Sequence, residues 1–535
     1  MNRPHTLNGL NLREKIGQMF MIGFKGKKLS EEVRDFIQEN NIGFINIFAR
    51  NIETLAQVSE LTDEIHSVAK IPPMIFTDQE GGVVCQFGEN VSTFTSAMGL
   101  AATGSPIYAE FAGSTIGYDL KLLGIDGVIA PVVDVNREPE NPIIGVRAFS
   151  DDPATVIRYA SHFIEGIKKN NMAPVIKHFP GHGGTTRDSH LTLPTIDASR
   201  EFFEEVDLKP FLSLSSMVDF IMSAHVVFPA IDASGLPATF STVFLGEYLR
   251  RKLSFQGVLI TDCLEMNAIK ERFSPEEMIT LGINAGVDVF LVSHTPELQR
   301  ELFDILFRKV KGGEISEERI DASVVRILRA KEKYGLLTEK RELKFDPALI
   351  RQEVEREFNV CAKSITLLRD FARKIPLSRN KKLGIIEFDK VPSTVPIHEA
   401  RRKSYLEKRA EEYFERVDVL LLPLKDPDFE SLRSFIKENE EILVATYTRT
   451  PEAERIQGEI VKNILELKED AVVVSLANPY DVRYFPMVKT YLLTYSFRDC
   501  SIKALFDILV GKREASGLLP VEIKNLFPKW YRFYG

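Results

Sequence analysis

The chain of 535 residues is longer than one hydrophobic core accommodates, so two domains joined by a connecting segment are expected. Its 44% hydrophobic and 27% charged residues are those of an ordinary globular protein, and a net charge of −8 argues against a nucleic-acid binder, which needs a basic stripe; a small neutral ligand fits better. The first residues, MNRPHTLNGLNLREKIGQMFMIGF, scatter charges among the apolar positions, so neither a secretory signal nor a membrane anchor is predicted and the expected location is the cytoplasm.

From the start to about residue 335, short apolar runs alternate with amphipathic stretches such as 30–40 and 153–170, the pattern of repeated βα units. The runs are GQMFMIGF, IGFINIF, PMIFTDQ, GIDGVIAPVVDV, APVIKHFP, DFIMSAHVVF, GVLITDC and GVDVFLVSH. Eight such units predict a closed (β/α)8 barrel, and interiors rich in Val, Ile and Phe suit a sheet buried on both faces. Polar residues gather at the ends of these runs: Asp78, Asp134, Lys177, His178, His225, Asp262 and His294. In a barrel those ends form the mouth where ligands bind. Residues 315–370 read as charged and helical, with Gly335 as a C-cap. The runs KKLGIIEFD, VDVLLLPL, EEILVATYT, DAVVVSLANPYD and VKTYLLTYS then predict a second α/β domain with a parallel sheet. The expected division is a catalytic barrel over 1–335, a helical linker over 336–375 and a C-terminal domain over 376–535. The cysteines Cys85, Cys263, Cys361 and Cys500 lack C-x-x-C spacing and are expected as reduced thiols.

The densest polar cluster is KHFPGHGGTTRDSH, residues 177–190. Gly181, Gly183 and Gly184 allow a tight, movable loop, and in Asp188-Ser189-His190 an extended backbone points carboxylate and imidazole the same way, a plausible acid/base dyad. A loop histidine capped by a nearby aspartate is the ordinary alternative. Asp262 closes the run GVLITD, which is the address of a nucleophile and also of a helix cap. Asp78 could accept hydrogen bonds from a ligand or serve as a turn residue before Gly81 and Gly82; Arg147 could offer its fork of donors or bridge two loops; Lys177 and His178 could be ligand donors or a buried pair. His225 and His294 carry no assigned role. Against a metal held by His178, His182, Asp188, His190, His225 and Asp262 stand a first strand without a ligand and a Pro180-Gly181 step that breaks any helix joining His178 to His182. Neither a metal nor an organic cofactor is expected.

Four motifs carry a family resemblance: TDQEGG (77–82), IIGVRAFS (143–150), KHFPGHG through DSH (177–190) and LITDCLEM (259–266). In their order and separations they resemble glycoside hydrolase family 3, and within it the β-N-acetylglucosaminidase branch of cell-wall recycling and chitooligosaccharide breakdown. The resemblance implies a TIM-like barrel followed by a smaller α/β sandwich. It implies retaining hydrolysis, with Asp262 as nucleophile, His190 as general acid/base with Asp188 as its partner, and Asp78, Arg147, Lys177 and His178 binding the sugar. The implied partner is a small carbohydrate, a terminal GlcNAc on a short oligosaccharide or muropeptide, with no nucleic acid and no membrane. A histidine titrating near pH 6.5, about the value of a free imidazole, serves as acid and then base. Being neutral, it also admits an anionic acceptor, so a phosphorylase using phosphate is the nearest alternative, followed by a β-glucosidase and by a sugar-binding protein on a degenerate barrel. The chain departs from the branch at Val83 and Gln86, where arginines are usual, and at Cys263 and Glu265 after the nucleophile position.

Overall fold

The fold is that of a computed structural model, in which residues 9–186, 193–337, 345–389, 404–448 and 450–534 are described. Eight strands form the first sheet: β1 Phe20–Ile22, β2 Phe44–Ile47, β3 Met74–Thr77, β4 Gly127–Val128, β5 Ala173–Phe179, β6 Phe220–Ser223, β7 Val258–Ile260 and β8 Phe290–Val292. Each pairs in parallel with its sequence neighbour, β8 returns to pair with β1, and the bridge Ile260–Val289 closes the ring. The strands are buried along their length, which is why their sequences are apolar runs and not alternating patterns. Phe44, Phe76 and Phe220, from three strands, meet with ring centroids 5.3–6.2 Å apart and fill the barrel. Beneath them the helix Glu317–Lys333 lays the buried Lys331 ammonium over Phe44, where it donates to Gln18 Oε1 (2.8 Å) and the Pro72 carbonyl (2.9 Å).

The surrounding helices begin and end on local signals. Ser30 caps Glu31–Asn40 by accepting from the Val33 amide, Asp152 caps Pro153–Lys168 with Pro153 in the first turn, and Ser274 with Glu277 forms a capping box on Pro275–Ala285.

The second sheet contains β9 Thr366–Asp370, β10 Leu383–Asp389, β11 Val417–Pro423, β12 Glu441–Thr446, β13 Val472–Ser475 and β14 Thr490–Leu493, in the order β9-β14-β13-β12-β10-β11. Its core strands are parallel as predicted, but β9 runs antiparallel to β14, so the sheet is mixed. Strand β9 falls inside the stretch read from sequence as a helical linker; that stretch also supplies the helix Val354–Ser364. The free thiols Cys361 and Cys500 meet where this helix packs on Asp499–Leu509, with their sulfurs 2.7 Å apart.

The two domains share a core. Val83, Val84, Met98, Ala102 and Val146 of the barrel pack among the apolar residues of the second sheet and its helices. Arg498 Nε donates to the Gly82 carbonyl (2.7 Å), and Glu357 Oε1 accepts from the amides of Thr93 and Phe94. Gly82 has φ +57°, and a side chain there would meet Ser96 at 2.6 Å, so this contact demands glycine. Among the described residues no helix is long and apolar enough to cross a membrane.

Candidate active site

A cavity of about 250 Å³ opens at the carboxyl ends of the barrel strands. Asp78, Arg147, Lys177, His178 and Asp262 all line it, so five of the residues singled out by sequence converge. Asp188 and His190 lie outside the described residues.

Asp78 follows β3, and just beyond it Gln79–Gly81 and Val84–Cys85 form an antiparallel ribbon from which Val84 and the following Gln86 line the cavity. This ribbon carries Glu80, buried against two residues of the cavity lining. Arg147 grips Glu80 with both arms of its fork, Nε to Oε2 at 2.9 Å and Nη2 to Oε1 at 2.8 Å, while Lys177 Nζ reaches Glu80 at 2.6 Å and Asp78 Oδ1 at 2.8 Å. Burial alone would push the Glu80 carboxyl up; the two cations overcome it and hold the group at about 2. The same two carboxylates keep the Lys177 ammonium above its ordinary value despite burial. Arg147 also donates from Nη1 to the Ile143 carbonyl, so most of its donors are already spent within the protein. Lys177 retains a third N–H.

Strand β5 carries Lys177 and His178, and the loop after β4 supplies Asp134 to orient the histidine. Asp134 is fully buried and accepts from His178 Nδ1 (2.7 Å), from the His178 amide (3.2 Å) and from the His182 amide (2.7 Å). Those contacts hold its carboxyl below the usual range against the cost of burial. With Nδ1 spent on Asp134, His178 turns Nε2 toward Arg147 Nη2, 3.5 Å away. Burial and the neighbouring His178 pull His182 down to about 4, so it is neutral at pH 7; its Nδ1 faces Thr185 Oγ1 at 3.2 Å. Gly183 runs so close to Val135 that a Cβ would lie 1.7 Å from its carbonyl oxygen, which is a packing demand in addition to the freedom read from sequence.

Asp262 stands two residues past β7, half-buried, with Oδ1 accepting from the Cys263 amide at 2.7 Å. The loop that follows is held from outside the cavity: His225 Nε2 lies 3.1 Å from the Cys263 carbonyl and Nδ1 2.8 Å from Thr239 Oγ1. His225 is thus a positioning residue for the Asp262 loop. His294 lines the cavity beside Phe48, ring centroids 5.4 Å apart, and its amide donates to Glu265 Oε2 at 2.6 Å. Burial, with the charge of Glu265, raises the Cys263 thiol to about 12.

The sequence reading did not single out Glu80 or Asn46. Asn46, within β2, lines the cavity, and its buried Oδ1 has no hydrogen-bond partner. Its signal was available, a polar residue in the run IGFINIF. Gln86 also lines the cavity and accepts from the Ala49 amide (3.0 Å), whereas Val83 is sunk in the second domain's core. Among the described residues two groups have metal-ligand spacing, Cys263 with Glu265 and His294, and Glu110 with His162 and Glu165.

Residues 11–330 match the Glycosyl hydrolase family 3 N terminal domain. The chain belongs to glycosyl hydrolase family 3. This family 3 chain is 27% identical over 602 aligned positions to Beta-hexosaminidase A of Pseudoalteromonas piscicida, covering 96% of the chain and 98% of that protein. It superposes with a TM-score of 0.88 on a glycoside hydrolase family 3 beta-N-acetylglucosaminidase from Paenibacillus sp. str. FPU-7, at 33% identity, covering 96% of the chain and 99% of that structure. A Beta-glucoside phosphorylase, BglX, shares the fold with a TM-score of 0.82 at 22% identity, covering 97% of the chain and 95% of that structure. The protein is therefore a glycoside hydrolase built as a TIM barrel followed by a smaller α/β domain.

Proposed function

We propose that the enzyme is a retaining exo-β-N-acetylglucosaminidase that removes a terminal GlcNAc from short oligosaccharides or muropeptides in the cytoplasm, with residues 1–335 as its catalytic barrel. The observation that carries this reading is the cavity in which Asp262 faces the Asp78, Lys177, Arg147 and His178 cluster. A β-N-acetylglucosaminidase that matches the chain end to end supports the sugar.

In this reading Asp78 accepts from sugar hydroxyls and Lys177 donates its remaining N–H. Glu80 keeps Arg147 and Lys177 fixed, so the sugar meets donors already oriented and loses little entropy ordering them. The Asp262 carboxylate attacks the anomeric carbon as the glycosidic bond lengthens, through an oxocarbenium-like transition state, and His190, oriented by Asp188, protonates the departing oxygen. The covalent glycosyl-Asp262 is then hydrolysed by water that His190 deprotonates. Charge stays balanced: one proton enters the leaving group and one leaves the water.

The test is release of p-nitrophenol from the β-GlcNAc and β-glucose aryl glycosides by wild type, Asp262→Ala and His190→Ala, with and without phosphate. GlcNAc is preferred, Asp262→Ala loses at least about 10³-fold in kcat, and His190→Ala loses most on poor leaving groups. Preference for glucose, or a phosphate-dependent sugar-1-phosphate, would replace this reading with a glucosidase or a phosphorylase.

A further inference from the structure

Two groups from the loop after Asp262 and one from the end of β8 form a set that glycoside hydrolysis does not use. Cys263 Sγ, a carboxylate oxygen of Glu265 and a ring nitrogen of His294 lie within 4.8 Å of one another, and all three residues line the cavity. The Cys263 thiol donates to Glu265 Oε2 across 3.6 Å, a hydrogen bond that a shared ion would replace. Oε2 is engaged by the His294 amide, but Oε1 of the same carboxylate is buried and has no hydrogen-bond partner. A buried carboxylate oxygen without a donor is costly, and a cation satisfies it. The nearby Arg50 does not do so: its hydrogen bonds go to the Phe24 and Ser293 carbonyls and its guanidinium lies on Phe48.

The three groups are held in place. The Cys263 carbonyl is tied to His225 and its amide to Asp262, and the His294 ring rests on Phe48. One sulfur, one nitrogen and one oxygen suit a borderline-soft divalent ion, and three protein ligands leave a fourth position open to the cavity. We propose that Cys263, Glu265 and His294 bind zinc, and that the bound ion competes with the sugar for the cavity. Binding exchanges the thiol proton for the metal: Cys263 S–H and Zn²⁺ give a thiolate–zinc bond and one proton released to solvent. Metal–donor distances of about 2.0–2.3 Å require the three groups, within 4.8 Å of one another, to draw closer around the ion. The inference is independent of the roles proposed for Asp262 and His190 in hydrolysis.

The experiment titrates the reduced, chelator-treated full chain with Zn²⁺ by calorimetry and with Co²⁺ by absorption. One equivalent binds, with a thiolate-to-cobalt charge-transfer band in the near ultraviolet. Cys263→Ser abolishes the band, and Glu265→Gln and His294→Asn each weaken zinc by about 10-fold or more. His294 is exposed, so its variant tests the site without threatening the fold. Absence of saturable binding, or binding and a band that survive all three substitutions, overturns the site. Zinc also raises the apparent KM for the aryl glycoside; a KM that does not move at saturating zinc overturns the competition.

Discussion

Glu80 and Arg147 form a buried two-pronged ion pair, 2.8 and 2.9 Å, which fixes Arg147 in the cavity lining. Lys177 shares the same carboxylate. Removing the charge of Glu80 leaves two buried cations with reduced compensation, a loss of about 3–5 kcal/mol by the general behaviour of broken buried pairs. Glu80→Gln should lower the urea midpoint accordingly and raise KM, because Arg147 and Lys177 lose their anchor. An unchanged midpoint would show that Asp78 alone restrains Lys177.

The same pair sets an acid limit. The Glu80 carboxyl stands at about 2 in the folded chain against 4.5 for a free glutamate, so its contribution is complete above pH 4.5 and is lost as pH falls toward 2. The amount is about 3 kcal/mol. Unfolding free energies of wild type and Glu80→Gln, measured from pH 5 to 2, should converge as the pH drops.

Two carboxyls of the second domain act in the opposite direction. Burial raises Asp481 to about 6 although Thr446 and Tyr491 donate to it, and raises Glu454 to about 7 although Arg483 lies 3.1 Å away. A folded state that binds more protons than the unfolded chain loses stability as pH rises. Melting temperature should therefore fall from pH 4 toward pH 7, and Asp481→Asn should flatten that slope. A slope identical to wild type would mean that Asp481 ionises normally.

Asn46 offers the cavity a buried acceptor without a partner. Asn46→Ala should raise KM about 10-fold for the preferred aryl glycoside, the size of one lost hydrogen bond, with melting temperature little changed. Equal KM values would place the sugar away from β2.

Much of this was legible in the residues because the barrel strands are buried on both faces and so appear as uninterrupted apolar runs. The run at 124–135 still overstated its strand, since β4 holds only Gly127–Val128 and the rest is loop that carries Asp134. Strand ends announced Asp78, Lys177, His178 and Asp262 because a titratable residue closing an apolar run has few structural reasons to be there. The partnership of Glu80 and Arg147 had no local signal, being made across 67 positions. Strand β9 itself, inside the stretch expected as a helical linker, was hidden for a related reason, and its reversed direction is decided by the neighbour the chain meets. Cys361 and Cys500, read as unrelated thiols, face each other only because two helices distant in sequence pack together.

The measurement that bears most directly on the account is covalent trapping. The enzyme is incubated with a fluorinated aryl N-acetylglucosaminide, which slows breakdown of the glycosyl-enzyme, then digested and mapped by mass spectrometry. A single glycosyl adduct on the peptide containing Asp262, missing from Asp262→Asn, is the predicted result. An adduct on another carboxylate such as Glu265, or steady turnover with no adduct at all, would contradict the assignment of Asp262 as the nucleophile.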